Sequence, residues 1–254
     1  MRALLPLAIG ALVLLPPPVA LADTDRQTRT LPLPPGRSIS LEITIGEVRI
    51  EGSSRTDAII EIVRHAPDAE GLARVPVSIE EDQSEIRIRG VQAEGGTDPA
   101  LRTDITLRVP HDAVLRSVRI VEGRLTLAEL TGAVTADLRR GPIAASGVRG
   151  IMRLETGIGN VTAERAHLSD GGLLRLRAFN GDVRLTLAEL PVNARIMALV
   201  LNGSISSEIP LQTRDTWGPR WGEATLGKGE PVISIDVITG KIEIKAPSRR
   251  PGKG

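Results

Sequence analysis

The one phrase in this chain with the spacing of a catalytic motif is Gly222-Glu-Ala-Thr-Leu-Gly-Lys-Gly229, which follows the Gly-x4-Gly-Lys of a phosphate-cradling loop. The match fails where the chemistry needs it. Gly229 stands where a metal-binding Ser or Thr belongs, and Pro231 with an alternating strand follows where a helix must open. A turn is the better reading. His65, His111 and His167 are the only histidines, far apart in sequence, with none of the spacings that place two imidazoles on one zinc ion. Serines occur without the Gly-x-Ser-x-Gly elbow that activates a nucleophile. Asp170, Asp182 and Asp236 could meet calcium at a chain corner, but no dense Asp/Gly nonapeptide array surrounds them. Asn160-Val-Thr and Asn202-Gly-Ser satisfy a glycosylation sequon at positions that read as tight turns. No catalytic, cofactor or metal residue is assigned. The strongest binding candidate is Trp217-Gly-Pro-Arg-Trp221, which sets Trp217, Arg220 and Trp221 in a polar insertion. Trp and Arg are favoured anchors at interfaces, but the better reading is that both rings cover the open end of the core.

Such residues need elements to hold them, and one recurring phrase supplies these. It runs glycine, any residue, apolar, any residue, apolar or small, and it starts at Gly123, Gly132, Gly141, Gly150, Gly159, Gly172, Gly181, Gly203 and Gly240, with a lone earlier copy at Gly46. The first five of that series stand nine residues apart, and the steps from Gly159 to Gly181 and from Gly181 to Gly203 are both twenty-two. A fixed period marks repeat architecture. Side chains two and four places after each glycine share one face of a strand; among them are Leu125, Leu127, Val134, Ile143, Met152, Leu154, Val161, Val183, Leu185, Ile205, Ile242 and Ile244. Between them stand Arg, Thr, Asp, Ser, Lys and Glu. Glycines Gly123, Gly132, Gly141, Gly150, Gly159, Gly181, Gly203 and Gly240 are therefore expected at corners needing positive φ. The fold class is all-β: a β-solenoid of about six coils over about 29 Å, with a β-sandwich or meander as the alternative architecture. The residues after successive glycines (Asn160, Asp182, Ser204, Lys241) fall on adjacent coils and read as a solvated edge rather than a paired-carboxylate site for glycoside cleavage.

Ahead of the repeats, residues 1–22 read as a secretory signal: Arg2, an apolar run to Leu15, three prolines, then Ala20-Leu21-Ala22. Residues 23–37 form an extended, proline-rich leader. Residues 38–101 are an N-terminal β region continuous with the stack. Residues 102–245 hold the β-strand repeats, and 246–254 are a disordered basic tail. The segment from His65 to Arg74 could form one helical turn, though Pro67 and Gly71 make a loop the better reading. Arg2 is the one charge in the signal, so 32 basic and 31 acidic residues become 31 of each. Near-zero net charge argues against nucleic-acid binding. With no cysteine, neither disulfides nor a lipidated N-terminal cysteine is available. Phe179, Trp217 and Trp221 are the only aromatics, which lowers the expectation of a sugar-processing enzyme.

Thr106-Leu-Arg-Val-Pro110, Thr156-Gly-Ile-Gly-Asn-Val161, Phe179-Asn-Gly-Asp-Val183, Leu201-Asn-Gly-Ser-Ile205 and Gly227 to Ile242 succeed one another in the manner of a known group. Over roughly Ser38 to Lys245 the chain resembles the bacterial putative-adhesin family, secreted domains of β-strand repeats. The resemblance implies a β-solenoid-like fold outside the cytoplasm and carries over no catalytic residue. The expected function is that of an exported, non-enzymatic scaffold, adhesion or interaction module of the cell envelope, periplasmic or at the surface, whose partner is an envelope protein or surface component. A solenoid polysaccharide-active enzyme and a periplasmic carrier of an apolar ligand are the alternatives.

Overall fold

The computed structural model describes residues 23–93, 96–214 and 218–247. The expected signal, Trp217 and residues 248–254 of the tail lie outside the described residues. In chain order the strands are β1 (Asp23–Pro32), β2 (Ser38–Ser53), β3 (Asp57–Ala66), β4 (Ser78–Glu81), β5 (Glu85–Gly90), β6 (Arg102–Pro110), β7 (Val114–Ala128), β8 (Val134–Arg140) and β9 (Ile143–Ser146). They continue as β10 (Ile151–Ile158), β11 (Val161–Ala166), β12 (Leu173–Asn180), β13 (Val183–Leu187), β14 (Ala194–Ser207), β15 (Gln212–Arg214), β16 (Arg220–Leu226) and β17 (Val232–Lys245). One helix, α1 (Ala69–Ala73), interrupts the segment expected to be a loop. It forms because the Asp68 carboxylate accepts the Gly71 backbone N–H at 2.7 Å, capping the first turn.

The chain is all-β, as its alternating pattern requires. Its strands form two parallel ladders that face each other across one aliphatic interior. β7 and β17 are long enough to serve both ladders. The pairing therefore closes into an eight-strand parallel circuit, β7-β8-β10-β12-β17-β13-β11-β9 and back to β7. β2, β5 and β6 extend this circuit at one end and β14 at the other, again in parallel. Antiparallel strands finish the edges: β4 on β5, β3 and β1 beyond β6, and β16 and β15 beyond β14. This corrects the simple solenoid expectation in one physical respect. Several corners are not loops between coils but bends inside single long strands, and a continuous strand carries hydrogen bonding from one face to the other. Asn202-Gly203, read as a turn, lies within β14.

The bend depends on glycine. At Gly181 φ is +152°, a conformation side chains rarely adopt, and a Cβ there would lie 1.8 Å from the carbonyl oxygen of Gly159. Gly159 stands in the same relation to Gly141, Gly141 to Gly123, and Gly123 to Gly46. Above Gly181 come Gly240 and then Gly203. Seven glycines thus form a column in which each backbone rests on the one below. Gly132 and Gly150 occupy the other end of the first-face strands; Gly150 has φ +94° and Gly132 has no positive φ, so Gly132 is no corner of the expected kind.

The column also shows that the rungs do not stack in chain order. After β13 the chain skips one level to build β14, adds β16 to its free edge, and returns with β17 into the vacant level. Hence β17 pairs with β12 and β13 on one side and β14 on the other. At the opposite end β2 lies between β7 and the later strands β5 and β6.

The main hydrophobic cluster runs from Leu33 to Ile244, and a small second one gathers Ala66, Val75 and Leu101. Leu125, Leu127, Val134, Ile143, Met152, Leu154, Val161, Val183, Leu185, Ile242 and Ile244 are all buried. Ile205 is only partly buried, because β14 is the last rung of the second face. Ile209, Leu211, Ala224 and Leu226 close that end of the interior.

At the other end Glu85 accepts the Ser40 hydroxyl at 2.6 Å and pairs with Arg87 at 2.7 Å. The Ser40 hydrogen bond, with Arg87 and Arg116 adding to it, holds the carboxyl below its ordinary value despite the opposing effect of burial. A folded-state pKa below the unfolded one, about 4.3, stabilises the fold above that pH, and the contribution is lost as pH falls through the folded value. Melting temperature measured against pH is therefore expected to drop below about pH 4, and Glu85→Gln should flatten part of that limb. An unchanged acid limb in the variant would remove Glu85 from the account.

Candidate functional site

Among the described residues the interior is mostly aliphatic and closely packed, and most polar side chains stand on the outward faces. On the second face, the in-register parallel pairing of β11, β13, β17 and β14 lines up two polar rows. One holds Asn160, Asp182, Lys241 and Ser204, the other Thr162, Arg184, Glu243 and Ser206. They border a cleft of about 390 Å³. The first row is laced to the backbone. Asn160 Oδ1 accepts the Asp182 N–H at 2.9 Å, and Asp182 Oδ1 accepts the Lys241 N–H at 2.8 Å. In the second row Arg184 Nε donates to Glu243 Oε2 at 2.6 Å, and Lys245 Nζ stands 3.2 Å from Glu243 Oε1.

These contacts decide what the carboxylates can do. The hydrogen bonds from Arg184 and then Lys245 hold the Glu243 carboxyl below the usual range, while Glu243 in turn raises Arg184. A general acid needs a proton near neutral pH, and Glu243 has none to give. Asp182 spends one oxygen on the Lys241 amide. The cleft presents hydrogen-bonding edges from both rows.

The other sequence candidates are dispersed. His65 lies 3.3 Å from Asp104, His111 Nδ1 is 2.7 Å from the Glu129 carbonyl, and His167 stands 3.5 Å from Glu189. Among the described residues no three His, Cys, Asp or Glu side chains gather as metal ligands would. Asp182 faces outward on the second face, Asp236 pairs with Arg175 on the first, and Asp170 is exposed in the loop before β12. Gly222 lies within β16, followed by a turn at Gly227 and Lys228 whose amide is accepted by Asn193, so the phosphate-loop likeness is a strand and turn.

Arg220 opens β16 and is exposed. Trp221 pairs across to Leu199, half-buried on the outward side of the first face, with the Arg214 guanidinium 5.6 Å from its ring centroid. The inward side of β16 carries Gly222 and Ala224 instead. Trp221 therefore covers the sheet from outside, and the aliphatics named above close the core.

Sequence reasoning missed an apolar row on this face. Phe179 and Leu201 are exposed and Ile238 half-buried. They stand side by side on β12, β17 and β14, between the registered sets Ala178–Val237–Val200 and Asn180–Thr239–Asn202. The signal was present: each residue lies two places before a corner glycine, in Phe179-Asn-Gly, Ile238-Thr-Gly and Leu201-Asn-Gly. Counting forward from the glycines passes over it.

No helix among the described residues is long and apolar enough to cross a membrane. No family model matches the sequence, and no curated protein does. Similar solved structures include a putative cell adhesion protein from Clostridium sporogenes ATCC 15579, at 12% identity and TM-score 0.47, covering 87% of this chain and 100% of the other. A putative adhesin from Bacteroides fragilis NCTC 9343 shares 12% identity at TM-score 0.36, with 87% and 97% covered. A putative lipid binding protein from Parabacteroides distasonis ATCC 8503 shares 10% at TM-score 0.27, with 87% and 96% covered. The solved structures that this chain is similar to are thus chiefly ones named as putative adhesins or a putative cell adhesion protein.

Proposed function

We propose that this chain is an exported, non-enzymatic interaction module of the bacterial envelope, which meets its partner on its outward strand faces. The observation that supports this most is the filled interior: Ile39, Ile50, Leu107, Leu127, Leu154, Leu176, Ile196 and Ile235, spread along the stack, are all 0–2% exposed. Among the described residues, dense packing of this kind weighs against a carried apolar ligand between the ladders. The signal-like residues 1–22 support export. The engaged state of Asp182 and Glu243 weighs against polysaccharide cleavage.

The test is retention of labelled, purified protein on intact envelopes of the producing bacterium, beside a turnover screen against envelope glycans. Saturable retention without turnover is the expected result. Glycan turnover abolished by Asp182→Asn would replace the module with an enzyme, and failure of any saturable retention would remove it.

A further inference from the structure

On the first face, where the stack ends at β14 and β16, the outward residues change character. Toward β2 and β5 this face carries Ser40, Glu42, Arg87, Arg89, Ser117 and Arg119. Toward β14 it carries the row Phe179, Ile238 and Leu201, then Leu199 and, across from it, Trp221. Neighbouring strands lie about 4.8 Å apart, so these five side chains form one continuous strip. An exposed apolar strip on a soluble β face is a mark of an interaction site.

The charges beside the strip identify what it fits. The Arg177 guanidinium lies 4.8 Å from the Phe179 ring centroid, and Arg214 sits over Trp221 at the other side. Arg175 and Arg195 complete the border. The local carboxylates are already engaged: Asp236 with Arg175 at 3.8 Å, Glu223 with Arg195 at 2.7 Å, and Glu155 with Arg177 at 3.7 Å. Arg177, like Arg175, stands beyond hydrogen-bonding distance of its carboxylate. The Arg177 Nε is buried without a hydrogen-bond partner, but the side chain is 33% exposed, so its terminal N–H groups stay reachable from outside. Cations held over rings, with donor capacity left, complement carboxylates set beside apolar side chains.

The geometry points to this strip as the docking surface for a protein segment that presents apolar side chains flanked by Asp or Glu. The inference rests on the interaction-module reading and names its surface and partner chemistry. A flat strip bordered by guanidinium groups seats apolar side chains on Phe179, Ile238 and Leu201, while the partner's carboxylate takes the open N–H edge of Arg177.

The test uses the full chain carrying a photo-crosslinking benzoylphenylalanine at position 201, or at position 49 on the outward side of the second face, on intact envelopes. The expected result is a protein adduct from position 201 and none from 49, with the crosslinked peptide containing Asp or Glu beside apolar residues. Arg177→Gln and, in a separate chain with the probe kept at 201, Phe179→Ser should each lower adduct yield about tenfold, with melting temperature held near that of the parent to show that folding is intact. Sedimentation with phosphatidylglycerol vesicles forms the lipid arm. Adducts from 49 alone, a crosslinked peptide without carboxylates, yields indifferent to Arg177→Gln, or vesicle binding in place of protein adducts would each overturn the assignment while saturable retention keeps the module. Without saturable retention, both fall.

Discussion

Gly181→Ala is expected to remove a large share of the protein's folding stability. An added Cβ would stand 1.8 Å from the Gly159 carbonyl oxygen, far inside any real contact, and φ at this position is +152°. Relief by a side-chain rotation is not available, since the clashing atom is backbone. Moving it means parting Gly159 from Gly181, and the pairs Thr162–Arg184 and Ala178–Val237 ride on the same rungs. Strained φ alone costs about 1–3 kcal/mol, and rupture of the local ladder adds to it. The sum, about 4 kcal/mol or more, is a large share of the roughly 5–15 kcal/mol that separates a native domain from its unfolded chain. Gly96→Ala is the control, because a Cβ added there meets nothing within 4 Å and its φ lies outside the range that disfavours side chains. Circular dichroism with urea titration reads both. A Gly181→Ala protein with parental stability would show that the rungs are not in this contact.

Val183→Asp has the second-largest expected effect. Val183 is 1% exposed, paired in register with Val161 below and Ile242 above. An unpaired carboxylate there has no partner and no water, at a cost of about 3–5 kcal/mol. Arg184, the next residue, points outward to Glu243. Arg184→Asp exchanges an ion pair for two like charges in solvent and should still fold, with a modest loss. Comparing the two variants by urea midpoint separates interior from exterior at adjacent positions.

The interior was the most legible part of the sequence. Burial follows from an offset to the nearest glycine, a local property, which is why Leu125, Met152, Val183 and Ile242 fall where the phrase puts them. The roles of the glycines were legible only in part. The nine-residue spacing gives Gly132 and Gly141 the same phrase, yet they lie at opposite ends of strand β8, and only Gly141 belongs to the column. Which rung lies on which is a non-local matter. Gly159, Gly181 and Gly203 are equally spaced at twenty-two residues, so nothing nearby announces that Gly240 intervenes between the last two. Gly46, the isolated early copy, joins the column beneath Gly123 from seventy-seven residues away.

The candidate surfaces followed the same division. The polar row of Asn160, Asp182, Lys241 and Ser204 was visible as residues following glycines, but its stacking order was not. Trp221 drew notice by type, while its outward placement depends on the antiparallel register of β16 against β14. Phe179, Ile238 and Leu201 look like unrelated apolar residues until three strands bring them into one row.

The interposed last rung is the claim on which both surfaces depend, and the cysteine-free chain allows it to be measured directly. Arg184 and Glu243 are in-register neighbours, and Ser206 lies on the far side of Glu243. Adjacent rungs bring Cα atoms about 4.8 Å apart and alternate rungs about 9.6 Å, while a disulfide tolerates at most about 7 Å. Oxidation of Arg184→Cys/Glu243→Cys should therefore give the intramolecular disulfide readily, and Arg184→Cys/Ser206→Cys should not, as read by mass of the alkylated protein. Efficient closure of the 184–206 pair with an open 184–243 pair would mean that the rungs stack in chain order, and would contradict this architecture.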